Sequence, residues 1–203
     1  MPNWTRTVII GNYEMIESFL NEKGEFDFNK AVPQPKELDN VVVNYVQNVS
    51  DIYYYLSERN SLSIQKVLKK PESKLISKYS WKELGYYLES ADTPNYDNGE
   101  LLVNNYRKYG FTDWYEWRYA NWGTKWNAVD TYREDEGDRL SVSFETAWGE
   151  PLPIMEYMCK HYADESITFL CDDDADTEYR KYENKDGQLT LVETGYFEDN
   201  DEE

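Results

Sequence analysis

The side chains that could do chemistry are few in kind. Cys159, Cys171 and His161, the single histidine, are the only soft metal ligands. A structural zinc site takes four ligands at close spacing, and an all-thiolate iron–sulfur cluster takes four cysteines. Cys159 falls on an apolar helical stripe and Cys171 ends a strand pattern, so both read as core residues. Nucleophilic catalysis needs a base beside a Ser or Cys. His161 lies on a helix followed closely by a strand and suggests no triad. No glycine-rich phosphate loop occurs. The reading is of a protein that is not an enzyme and holds no cofactor or metal.

Carboxylates are abundant, which makes any one pair of them uninformative. One spacing stands out. Asp172, Asp174, Asp176, Glu178 and Glu183 occupy positions 1, 3, 5, 7 and 12 of a calcium-loop pattern. Thr177 stands where that loop's sharp turn needs Gly, and no helices are expected on either side, so a solvated acidic loop is the better account. Five tryptophans (Trp114, Trp117, Trp122, Trp126 and Trp148) could stack bases, but such a platform needs a basic surround. They read as helix-on-sheet packing.

The charge decides which partners fit. Forty acidic against 21 basic residues in 203 give a net charge of -19. That field repels nucleic-acid phosphates and anionic lipid, and attracts basic protein surfaces. Residues 172–203 hold 13 acidic and three basic residues, with Tyr179, Tyr182, Tyr196 and Phe197 interleaved. Aromatic anchors among carboxylates suit a partner rich in Arg and Lys. The expected contact set is Asp172, Asp173, Asp174, Asp176, Glu178, Tyr179 and Glu183. No stretch approaches the length of a signal peptide core or a membrane span, so a cytoplasmic location is expected.

The elements that position these residues follow from periodicity. Thr5 to Gly11 is β-branched and strand-like, and Asn12 can cap a helix whose Met15, Ile16, Phe19 and Leu20 share a face. Phe26 to Pro35 reads as an extended, proline-stiffened connection. From about Val41 to Trp122 the pattern is helical: Ile52, Tyr55 and Leu56 share a face, and Leu62–Leu68 and Trp81–Leu88 do likewise. Pro71 and Pro94-Asn95 punctuate these runs. Lys66, Lys69, Lys70, Lys74, Lys78 and Lys82 form a local basic run, read as a solvated face. Thr112 or Asp113 starts a Trp-rich helix.

Beyond Gly123 the period falls to two. Strands are expected over Lys125–Tyr132 and Leu140–Trp148, joined through the polar turn 134–138. Pro151 and Pro153 open a helix striped by Ile154, Met155, Met158, Cys159 and Tyr162. Further strands are expected over Ser166–Cys171, Glu178–Glu183 and Leu189–Phe197, the last two around the turn 184–187. The order β-α, β-β, α-β, then a hairpin, is the split βαβ arrangement. The expected fold is α+β: a ferredoxin-like antiparallel sheet with two helices, formed by residues 1–40 and 112–203, with a helical insertion over 41–111 and an extra C-terminal β-hairpin.

Several segments carry a family resemblance. Met1-Pro-Asn-Trp4, Phe26-Asp-Phe-Asn29 followed by Pro33-Gln-Pro35, the stretch Trp117 to Ala128, and Phe144-Glu-Thr-Ala-Trp148 with Pro151 and Pro153 occur in this order. Together they resemble the YubB ferredoxin-like family of phage and plasmid proteins, over about residues 1–40 and 112–171. The resemblance implies the ferredoxin-like fold and a mobile-element origin, without iron–sulfur chemistry. The chain departs from it at Thr5, where relatives have Cys, and at Gly149-Glu-Pro151, where Ser-Pro-Pro is usual.

Charge and resemblance combine into one expectation of function. The protein is expected to inhibit a host nucleic-acid-binding defence protein, such as a CRISPR effector, by filling its basic groove with an acidic, DNA-mimicking surface. The alternative is a structural or regulatory accessory protein acting through its helical insertion, as a homo-oligomer.

Overall fold

The computed structural model describes residues 3–58, 81–173 and 176–196, with the backbone alone at Glu58, Trp81, Leu84, Asp173, Asp176 and Thr177. The chain divides into two units, residues 1–34 with 118–203, and residues 35–117.

In the first unit, strand β1 (Trp4–Asn12) leads into helix α1 (Tyr13–Glu17). Asn12 makes the switch, since its side chain accepts the Met15 N–H at 3.1 Å. Met15, Ile16, Phe19 and Leu20 are all buried, as their spacing requires. Asp27 then caps a single turn, α2 (Phe28–Ala31), where an extended connection was expected. Its carboxylate accepts from the Asn29 N–H and from Asn127 Nδ2, so a local polar cap overrides the stiffness that Pro33 and Pro35 lend.

Strands β2 (Val129–Glu136) and β3 (Arg139–Ala147) form a hairpin that turns at Gly137-Asp138. β2 starts later than its sequence suggests. Residues 123–128 stay out of the sheet because the Asn127 side chain is spent on the Phe28 and Ala128 N–H groups. β2 also runs further, through Glu136, because an edge strand facing water tolerates charge. Helix α8 (Leu152–His161), strand β4 (Thr168–Asp173), β5 (Asp176–Lys185) and β6 (Gln188–Tyr196) complete the unit. The β5–β6 turn needs left-handed backbone, φ 51° at Asp186 and 82° at Gly187, which suits Asp-Gly.

All neighbours are antiparallel, in the order β2-β3-β1-β4-β5-β6. The first four strands have the ferredoxin-like order, and the last hairpin extends the same sheet from β4. One face is closed by apolar packing. Phe26 stacks on Phe144 at 4.6 Å, Phe28 meets Phe144 and Trp122 edge-on, and Met155, Met158, Cys159, Phe169 and Cys171 are buried with them. Trp122 also donates Nε1 to the Val32 carbonyl at 2.9 Å.

The second unit is helical: α3 (Lys36–Asp39), α4 (Tyr45–Glu58), α5 (Trp81–Ser90), α6 (Tyr96–Tyr109) and the first residues of α7 (Trp114–Trp122). Asp113 caps α7 through the Tyr115 and Glu116 N–H groups. Val41, Val49, Ile52, Tyr55, Leu56, Leu102 and Val103 make its core. Gly99 lets α6 approach α4, since a Cβ there would lie 2.2 Å from the Asp51 carbonyl oxygen. Of the lysine run, Lys82 is exposed; Leu62–Leu68, Pro71, Lys66, Lys69, Lys70, Lys74 and Lys78 lie outside the described residues.

Candidate interaction surface

Strand alternation sorts the first unit's side chains onto two faces. Thr5, Thr7 and Ile9 point into the packed face beside Leu140, Val142, Phe144, Phe169 and Cys171. Arg6, Val8 and Ile10 point the other way. Their partners in register are Glu145, Ser143 and Ser141 on β3, and Asp172, Leu170 and Thr168 on β4. Arg6 thus has a carboxylate opposite it on each flanking strand. The same alternation places Tyr132 and Glu134 of β2, Tyr179, Lys181 and Glu183 of β5, and Glu193 of β6 on this open face.

Two shallow depressions flank Arg6. One, of about 390 Å³, is lined by Asp130, Tyr132, Ser143 and Glu145. The other, of about 270 Å³, is lined by Val8, Leu170, Asp172 and Tyr179. The open face is therefore a half-buried aliphatic strip with tyrosine and carboxylate on both sides. Glu134, Glu136, Glu145, Asp172, Glu183 and Glu193 outnumber Arg6, Arg139, Lys181 and Lys185 on it.

The expected contact residues do not form one group. Asp172, Tyr179 and Glu183 lie on the open face, whereas Glu178 alternates onto the packed side. Asp173 and Asp176 are opposed in register at the ends of β4 and β5, and Asp174 lies outside the described residues. Glu183 is paired with Thr168, far along β5 from Asp172, which is paired with Tyr179. Four strand residues, about 13 Å, separate the two levels. The calcium-like spacing is thus drawn out along a hairpin and does not converge. Glu183 is also engaged by Lys185 and, at 3.5 Å, by Lys181; Lys185 and then Lys181 hold its carboxyl below the usual range. Among the described residues no group of three or more His, Cys, Asp or Glu is placed to hold a metal.

Tyr179 is held down rather than free to anchor. Its ring covers Gly195, and its hydroxyl donates to Glu193 at 2.6 Å, which raises the hydroxyl's pKa. On the packed side, Glu150 accepts from Arg180 Nη1 at 2.9 Å and from the Tyr182 hydroxyl at 2.7 Å. Burial first, and then Glu150, raises the Tyr182 pKa. Arg6, Glu145, Glu134, Glu193 and Glu150 are not among the contact residues expected from the sequence. Alternation about buried Thr5, Thr7 and Ile9 is the signal that would have found Arg6 and its neighbours.

The remaining candidates fall into place individually. Cys159 and Cys171 are free and buried, and burial pushes their thiols up to about 11 and about 12. His161 is exposed at the end of α8, stacked on Tyr157 at 3.8 Å. Trp117 and Trp122 are buried and Trp114 and Trp126 partly so, but Trp148 is 56% exposed. A left-handed φ of 74° at Trp148 turns the chain out of β3 and carries its ring away from the core.

Fold and surface define an α+β protein with a ferredoxin-like sheet and an open, acidic face. Residues 121–203 match the family model described as a ferredoxin-like domain in Api92-like protein. The name differs from the YubB family that the N-terminal and tryptophan-rich motifs suggest, while the ferredoxin-like domain agrees. The chain is also similar to the crystal structure of a protein api92 from Yersinia pseudotuberculosis, at 8% identity and a TM-score of 0.43, covering 97% of this chain and 98% of that one. No curated protein matches it. Among the described residues, no helix is long and apolar enough to cross a membrane.

Proposed function

We propose that this protein is a non-enzymatic inhibitor that binds a cationic groove of a nucleic-acid-binding partner through the open face of its sheet. The carrying observation is the surplus of carboxylates on that face, Glu134, Glu145, Asp172 and Glu193, around the aliphatic strip of Val8, Ile10 and Leu170. With strands about 4.8 Å apart, Glu145 and Asp172 face each other across β1 at the level of Arg6, Glu193 stands at the level of Val8 and Glu134 at that of Ile10. A net charge of -19 steers the whole molecule toward a basic partner. The YubB resemblance favours a mobile-element source, and with it a host defence protein, such as a CRISPR effector in the cytoplasm, as the target.

The test is DNA cleavage by purified guide-loaded effectors, with the protein titrated in. Inhibition should weaken steeply with salt. It should fail in the triple variant Glu145→Lys, Asp172→Lys and Glu193→Lys. Equal inhibition by that variant, or no inhibition of any effector by the unaltered protein, would refute the proposal.

In the helical unit Val42, Val43, Tyr45 and Tyr86 are exposed together with the ring contacts Tyr45–Tyr87 and Tyr86–Tyr87. An accessory protein that self-associates through this unit should become monomeric on Val42→Asp with Tyr86→Asp, measured by sedimentation. An unchanged oligomeric state would sink that reading.

A further inference from the structure

The two edges of the six-stranded sheet are built differently. β2, at one edge, carries Asp130, Arg133, Glu134, Asp135 and Glu136 and a register shift between Val129 and Tyr132. Both edges carry a register shift, so charge is what distinguishes them: a row of charged side chains like that of β2 keeps an edge strand from accepting another strand. β6, at the other edge, reads Gln-Leu-Thr-Leu-Val-Glu-Thr-Gly-Tyr, with Glu193 as its one charge and neither Lys nor Pro. Leu191 is 50% exposed and Tyr196 73%, and Val192 and Thr194 are exposed as well. Its register with β5 shifts once, leaving Val192 as the extra residue between two regular stretches, 188–191 and 193–196.

The geometry points to β6 as a docking edge that takes an extended, cationic segment of a partner protein as a seventh strand. An edge strand presents a row of unpaired backbone N–H and C=O groups, and strand addition satisfies them while side-chain alternation sets specificity. Charge settles the occupant. A second copy brings another net charge of -19, and 13 acidic against three basic residues occur in the sequence from 172 to 203, so self-pairing is opposed and Lys- or Arg-bearing strands are favoured. Register supplies a two-sided surface. Glu193 lies on the open face, opposite Lys181, whereas Leu191 and Tyr196 lie on the other, opposite Tyr182 and Glu178. An alternating cationic and aliphatic segment meets both sides at once. This inference rests on the cationic partner of the proposed function but assigns a different contact.

The test uses the full chain and a fluorescein-labelled octapeptide of alternating Lys and Val, followed by anisotropy. Two further peptides of the same charge are N-methylated at every second residue, one in each phase, which removes the donors facing one side only. The parent peptide should bind, and methylation in the phase facing β6 should weaken it by at least about tenfold. Amide hydrogen exchange should slow in residues 188–196. The double variant Leu191→Lys with Tyr196→Lys should weaken the parent peptide by a similar factor. Asp172→Lys and Glu145→Lys, on the open face, should leave it within about threefold. Absence of binding, equal binding of both methylated peptides, or unchanged exchange in β6 would overturn the edge assignment. Loss of peptide binding in the open-face variants would also overturn it while leaving the proposed function standing. Failure of the effector assay alone would leave a β6 edge with a different partner.

Discussion

Glu150, in the loop before α8, accepts Arg180 Nη1 of β5 at 2.9 Å, and this ion pair ties the added hairpin to the ferredoxin-like unit. The Glu150 side chain is only 7% exposed, and Tyr182 donates to its second oxygen. Asn184 continues the attachment by donating to the Tyr162 and Glu165 carbonyls past the end of α8. The hairpin is thus secured by polar contacts on the packed face.

Removing that carboxylate should therefore loosen the hairpin. Glu150→Ala leaves two donors without their acceptor, and a loss of about 2–3 kcal/mol is expected in urea denaturation. Glu150→Leu combined with Arg180→Met should recover part of it, because paired apolar replacements avoid the unsatisfied charge. A loss below about 0.5 kcal/mol for Glu150→Ala would show that the pair is incidental.

Cys159 and Cys171 should be silent toward thiol reagents in the folded protein. Both are buried, and thiols raised to about 11 and about 12 hold almost no thiolate at pH 8. Titration with an aromatic disulfide should release colour at the unfolding rate, and at once in denaturant. Fast stoichiometric reaction of the native protein would contradict this burial.

Asp27 should make the fold sensitive to acid. Burial alone would raise its pKa, but hydrogen bonds from Asn127 and Asn29, with Lys30 nearby, hold it below the usual value. A depressed carboxyl contributes stability that is present above its unfolded pKa, near 4, and is lost as pH falls through the lower folded value. Asp27→Ala should cost about 1 kcal/mol at pH 7. The gap from the unaltered protein should narrow below about pH 4 in chemical denaturation, and a constant gap would refute the linkage.

Gly99→Ala should destabilise the helical unit although Ala is the better helix former. The added methyl would meet the Asp51 carbonyl at 2.2 Å and Tyr55 Cβ at 2.8 Å, and backbone cannot yield as a side-chain tip can. Overpacking of about 1–3 kcal/mol outweighs a propensity gain of about 1 kcal/mol. Thermal unfolding should shift downward, whereas Gly85→Ala, with open space around its Cβ position, should shift it upward.

Much of the fold was legible in the residues themselves. Alternation in Thr5–Gly11 and Leu140–Trp148, the Asn12 cap, the proline-led helix and the Asp186-Gly187 turn are local signals, and local backbone preferences produce them. The order of those elements was enough to anticipate an α+β ferredoxin-like sheet with an added hairpin. The start of β2 and the turn at α2 were not legible, since they depend on Asn127 meeting Asp27 from 100 positions away.

The candidate surface divides along the same line. Sequence alone determined that the protein is acidic, rich in aromatics and loaded with carboxylates after Cys171, because composition is additive and needs no geometry. Only tertiary structure decided which carboxylates stand together. Pairing in register set Glu145 and Asp172 on either side of Arg6, gathered residues 145, 172 and 193 onto one face, and sent Glu178 to the other. It also spent Glu183 on lysines and Tyr179 on Gly195 and Glu193. The physical reason is that side chains on different strands become neighbours through long-range hydrogen-bonded pairing, and a one-residue change of register would reverse every face.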